Sequence, residues 1–184
     1  MNMTARNKNR LVLIVIASLF LAPLLAAIVL NAQGWHPQKT SNTGTLVDPP
    51  QDMNGTSVTL ADGDKLAWST PQRQWTLLAL PGVQCAQTCR TRLDEILRMR
   101  ITLGRNAERL RVLYLGPELE KDFIAARAPL LSGHAQVDTF APMRALATDG
   151  LALALVDPNG MLILRYPEGY IAYGVRKDIV QVLH

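Results

Sequence analysis

Cysteine and histidine are scarce in this chain: 184 residues contain two cysteines, Cys85 and Cys89, and three histidines, His36, His134 and His184. Two cysteines allow one disulfide at most, which excludes a small scaffold held by several bridges. No internal repeat and no low-complexity tract is present, which excludes a repeat array. Basic residues are missing over a long stretch near the start, where Lys39 is the only one between residues 11 and 64. That gap frames the longest apolar run in the chain.

The run is "LVLIVIASLFLAPLLAAIVL", residues 11–30, preceded by Arg6, Lys8 and Arg10. As a helix it spans roughly 30 Å, the thickness of a hydrocarbon core. A cleaved signal peptide has a shorter apolar region and a small-x-small cleavage site. The following "NAQGWHP" offers no clean site, so a retained anchor is the expectation. Pro23 is compatible with it, because neighbouring groups in a membrane helix take up the freed carbonyl. By the positive-inside rule residues 1–10 are cytoplasmic and the rest lies across the membrane. In a bacterium this is an inner-membrane protein with a periplasmic domain, in a compartment that permits disulfides.

Residues 31–51 are polar, with scattered Gly and Pro and no periodicity, and read as a tether. Residues 52–184 are enough for one globular domain. Seven arginines lie between Arg90 and Arg111 against Asp94, Glu95 and Glu108. Arg90, Asp94 and Arg98 at i, i+4 spacing would support a solvated helix. The alternative is a basic surface, including Arg98, Arg100 and Arg105, for anionic headgroups or an acidic protein partner. Nucleic acid is not expected as a partner outside the cytoplasm.

Within the domain, "SVTLADGDKLAWS" reads as a hairpin around Asp62-Gly63-Asp64 and "QWTLLAL" as a strand. Apolar residues at helical spacing predict a helix from Ala86 to about Leu103. "RLRVLYL", residues 109–115, reads as a buried strand. Pro117 suits the first turn of a helix in "PELEKDFIAARA". A weaker strand is expected in "HAQVDTF". "LALALVDPNGMLILRYP" is the clearest hairpin, and "VRKDIVQVLH" a closing helix with Val175, Ile179, Val182 and Leu183 inward. This order predicts an α/β domain with a thioredoxin-like mixed sheet and flanking helices, preceded by one N-terminal transmembrane helix.

The cysteines then fall where the first core strand passes into a helix. Free N–H groups and the dipole at a helix N-terminus favour an anion and lower a thiol's pKa, and Arg90 and Arg92 would act in the same sense. Positions i and i+4 of one regular helix hold their Cβ atoms too far apart for a disulfide, so Cys85 must sit just off the helix. The turn could close a redox disulfide or hold two thiolates for Cu(I). A purely structural staple would be weak, because so small a loop removes little unfolded-state entropy.

"WTLLALPGVQCAQTCRTRL", with "RVLYLGPELE" and "ALVDPNGMLILRY", resembles the SCO/SenC proteins, membrane-anchored thioredoxin-like factors that help assemble the copper centre of cytochrome c oxidase. The resemblance covers residues 57–183 and the anchor, and its most specific element is the CxxxC pair. It implies that Cys85 and Cys89 are redox cysteines, catalytic in thiol–disulfide exchange, and ligands for Cu(I). The implied partner is a respiratory oxidase subunit or another copper or redox assembly factor. The sequence departs from the family in carrying Ala86, Gln87 and Thr88 between the cysteines, and Asp149 where the copper-ligating histidine belongs. A carboxylate suits Cu(I) poorly. His36, His134, His184 and Met143 are the remaining candidate donors. Leu151 stands where thiol reductases of this fold carry a cis-proline.

Overall fold

The computed structural model describes residues 5–32, 42–135 and 139–183. The chain divides into two compact units, residues 1–41 and 42–184. In the first, helix α1 (Ala5–Ala32) contains Pro23. Its segment Arg10–Leu30, of mean hydropathy 2.9, is long and apolar enough to cross a membrane. The rest of the stretch read as tether up to residue 41, with His36, lies outside the described residues, as does His184.

The second unit is built on one seven-stranded sheet. Its strands are β1 (Thr45–Asp52), β2 (Val58–Leu60), β3 (Trp75–Pro81), β4 (Leu110–Leu115), β5 (Leu130–Ala135), β6 (Leu151–Val156) and β7 (Met161–Tyr166). They lie in the order β1-β7-β6-β3-β4-β5-β2. The β3, β4 and β5 neighbours are parallel and all other pairs antiparallel. The mixed sheet with flanking helices is therefore as expected. The central strands carry unbroken apolar runs, residues 77–81 of β3, 112–115 of β4 and all of β6, because both faces are covered, and every residue of β6 is buried.

Alternation along β3 divides the core. Leu77 and Ala79 face one cluster with Cys89, Leu93 and Ile96 of α2 (Gln87–Ile101) and Val175 and Ile179 of α4 (Ala172–Leu183). Leu78 and Leu80 face a second cluster with Met53, Trp68, Phe140 and Met143. Short α3 (Lys121–Ala125) leans Phe123 and Ile124 against the first.

Several boundaries differ from the sequence reading. Residues 45–51 are not tether: they belong to β1, which pairs with β7. The hairpin around Gly63 shrinks to β2 and a single bridge between Thr59 and Lys65. The helix read from Pro117 begins only at Lys121, after an extended Glu120. The strand placed in "HAQVDTF" lies earlier, at residues 130–135, and residues 136–138 are outside the described set. In α4 Val175, Ile179 and Leu183 are buried as expected, and Val182 is half-buried against the first core cluster.

Candidate active site

The site forms at the C-terminal end of β3. Pro81 closes that strand and pairs with Leu151, the first residue of antiparallel β6. The chain entering β6 must therefore run beside the chain leaving β3. The Gly82 N–H donates to the Gly150 carbonyl at 3.2 Å and the Gln84 N–H to the Thr148 carbonyl at 3.0 Å. The two loops are so close that a Cβ at Gly82 would lie 2.1 Å from the Ala147 carbonyl oxygen. Glycine is required there by contact, not by its backbone angles.

Cys85 lies two residues before α2 and Cys89 in its first turn. Cys85 and Cys89 form a disulfide, with Cα atoms 5.0 Å apart. Cys85 is 9 % exposed and Cys89 fully buried. The pair is thus closed by placing Cys85 off the helix, as the spacing requires.

Asp149 points at this loop, and at its backbone. Its Oδ1 accepts hydrogen bonds from the Ala86 N–H at 2.6 Å and the Cys89 N–H at 3.2 Å, and its Oδ2 from the Thr88 N–H at 2.8 Å. Ala86, the residue that enters α2, has no side-chain oxygen to cap the helix. A carboxylate from 63 positions along the chain does so instead. Partial burial pushes the Asp149 carboxyl up, but the amides of Thr88, Cys89 and Ala86 with the Thr88 hydroxyl more than offset this, and its pKa lies below the usual carboxylate range. The free amides expected to hold a Cys85 thiolate are accordingly already occupied.

The arginines also differ from expectation. Arg90 is tied by its Nη2 to both Glu120 oxygens, at 2.7 and 2.9 Å, while its Nε donates to the Cys85 carbonyl at 3.2 Å. Its guanidinium lies 4.9 Å from the centre of the Phe123 ring. Arg92 pairs with Glu95 at 2.9 Å. Asp94 binds Arg127, at 2.6 and 3.1 Å, and not the i, i+4 arginines. Glu120 and Glu168 were not legible as site residues. Glu168 accepts from the Ala147 N–H at 2.9 Å and steadies the loop that carries Asp149.

Beside the disulfide loop lies an apolar rim. Val83 is 81 % and Leu146 94 % exposed. A shallow depression of about 350 Å³ is lined by Gly82, Val83, Gly116, Pro117, Arg144 and Ala145.

The other candidate donors are elsewhere. Met143 packs in the second core cluster, across the sheet from Cys89. His134 is exposed on β5 and pairs with Thr59 of β2. Among the described residues no three His, Cys, Asp or Glu side chains gather as a metal site. The donors present do not fit a three-donor copper centre: two sulfurs are available on reduction, while the nearest carboxylate is committed to three backbone amides and is a hard donor.

The domain is a thioredoxin-like protein with a cysteine pair at the C-terminal end of β3. Residues 75–184 match the family described as "Transmembrane-like, thioredoxin-like, C-terminal domain", and the chain belongs to that family. Similar solved structures include a protein described as thiol:disulfide interchange protein DsbE from Chlorobium tepidum, with 14% identity, a TM-score of 0.54 and a match over 73% of this chain and 98% of that one. Yeast Sco1 with copper bound has 15% identity and a TM-score of 0.54, over 79% and 94% of the two chains. A SCO1/SenC family lipoprotein from Bacillus anthracis has 12% identity and a TM-score of 0.53, over 75% and 99%. At these identities the likeness is one of fold. Comparison with curated proteins gives no match.

Proposed function

We propose that this chain is a membrane-tethered thiol–disulfide exchange factor that acts on the cysteines of a copper site during assembly of cytochrome c oxidase, on an oxidase subunit or on another copper or redox assembly factor. The observation that carries the reading is the Cys85–Cys89 disulfide at the end of β3, both cysteines buried but Cys85 the more accessible of the two. The fold shared with an interchange protein and with copper-bound Sco1 supports it. Residues 11–30 anchor the chain in the inner membrane, with residues 1–10 cytoplasmic and the domain in the periplasm, a reading supported by Arg6, Lys8 and Arg10 ahead of the apolar run.

In the exchange, the Cys85 thiolate attacks one sulfur of a partner disulfide; that bond breaks and the departing partner sulfur takes a proton. The Cys89 thiolate then attacks Cys85 Sγ in the mixed disulfide, which forms the Cys85–Cys89 bond and releases the second partner sulfur as a thiol. Two electrons and two protons pass to the partner. The 9 % exposure of Cys85 suits the attacking sulfur and the burial of Cys89 the resolving one. Val83 and Leu146 would bracket the partner's chain at the rim.

Replacing both cysteines by serine in the producing organism, with expression checked, is expected to lower oxidase activity and the copper content of the enzyme. Unchanged activity and copper content would overturn the assignment.

A further inference from the structure

We infer that Asp149 sets the direction of this exchange: its carboxylate, seated on the first amides of α2, favours the Cys85–Cys89 disulfide over the dithiol, so the reduced chain is an electron donor to partner disulfides. The inference rests on the exchange reading and deepens it.

At an uncapped helix N-terminus a cysteine thiolate is stabilised by free N–H groups and the dipole. A pair whose reduced form is stabilised in this way is a strong oxidant, because the thiolate it leaves behind is favourable. Here the Ala86, Thr88 and Cys89 N–H groups are already engaged by Asp149. A thiolate formed at Cys85 or Cys89 would face a carboxylate instead of free amides, and like charges oppose ionisation. Arg90, which donates to the Cys85 carbonyl, does not redress this, since its charge is paired with Glu120. The disulfide is neutral and meets none of these costs. The thiolate stabilisation that would draw the pair toward its reduced form is thus withdrawn, which makes the dithiol a stronger reductant than one at a helix N-terminus with free amides. Electrons leave with the two sulfhydryl protons to the partner disulfide, and a dithiol donor protein of the same compartment returns the chain to its reduced form.

The test uses the full-length chain in detergent micelles, equilibrated against a series of dithiothreitol buffers at fixed pH. The oxidised and reduced fractions are read by mass after alkylation, for wild type, Asp149→Asn and Asp149→Ser. Serine also caps helices without charge, so it serves if the asparagine variant does not fold. The neutral variants are expected to favour reduction about tenfold over wild type, equivalent to about 30 mV. A residue that only braces the loop would lower the melting temperature of oxidised and reduced forms alike and leave the potential unmoved. An unmoved or lowered potential in folded variants, with reversible wild-type equilibrium, overturns this inference and leaves the exchange reading standing. Failure of wild type to interconvert at all overturns both.

Discussion

Asp178, on α4 and 1 % exposed, accepts a 2.8 Å hydrogen bond from the backbone N–H of Gly44, which precedes β1. The same carboxylate accepts from the Thr43 N–H, at 2.8 and 3.0 Å to its two oxygens, and from the Tyr166 hydroxyl at 3.2 Å. The segment is drawn in so tightly that a Cβ at Gly44 would lie 2.5 Å from the Tyr166 ring. Asp178→Ala would strand several donors, each costing about 1–3 kcal/mol when buried and unmet. We expect a loss of about 3 kcal/mol or more in chemical denaturation of the oxidised protein. A loss below about 1 kcal/mol would show that water replaces the carboxylate.

Gly82→Ala tests the contact between the two loops of the site. The new methyl would overlap the Ala147 carbonyl, 2.1 Å away, with the Thr148 carbonyl at 2.8 Å. Overpacking of this kind costs about 1–3 kcal/mol. Thermal denaturation should show that loss, and hydrogen exchange should show faster exchange at the Ala86 and Thr88 amides as the Asp149 cap loosens.

Stability should fall at acid pH in a way that Asp94 partly controls. The hydrogen bond from Arg127 lowers the Asp94 pKa; burial opposes this, and the charges of Arg127 and Arg98 add to the lowering. A carboxyl whose folded pKa is depressed stabilises above its unfolded value, about 4, and loses that contribution as pH falls through the folded value. Wild type should therefore lose stability between about pH 5 and pH 2, and Asp94→Asn should flatten this slope while lowering stability at neutral pH. Parallel pH profiles for the two proteins would contradict the assignment.

Copper retention follows from the donor set. The reduced chain should surrender Cu(I) to a competing chelator readily, because among the described residues the two thiolates are the only soft donors at the site and Asp149 is engaged with amides. Asp149→His, which supplies an imidazole, should retain Cu(I) at least tenfold more tightly by the same competition. Equal affinity of the two proteins would show that position 149 does not reach the sulfurs.

What the sequence disclosed depended on how local the signal was. The β6–β7 hairpin was legible because its turn is self-contained: Asp157 Oδ1 accepts from the Asn159 and Met161 N–H groups, both at 2.8 Å, and Gly160 takes a positive φ of 85°. The uninterrupted apolar runs of β3, β4 and β6 were legible for the same reason. β1 was not, since "TLVDPPQD" is an exposed edge strand with prolines at a register shift, and neither alternation nor burial marks it. The place of Cys85 and Cys89 between strand and helix could be read directly. The role of Asp149 could not, because it follows from the antiparallel register that sets Pro81 against Leu151. Arg90 was visible as a charge near the cysteines, but its engagement by Glu120 depends on where the chain after β4 returns.

The most direct test of the exchange reading is to trap its intermediate. With Cys89→Ser, Cys85 can form a mixed disulfide that nothing resolves. Expressed in the producing organism and examined after acid quenching and non-reducing electrophoresis, this variant should carry a disulfide-linked adduct to a membrane or copper-site protein. The adduct should be absent from Cys85→Ser and from the double serine variant. An equal yield through Cys89 alone, or no adduct from Cys89→Ser at all, would contradict the account.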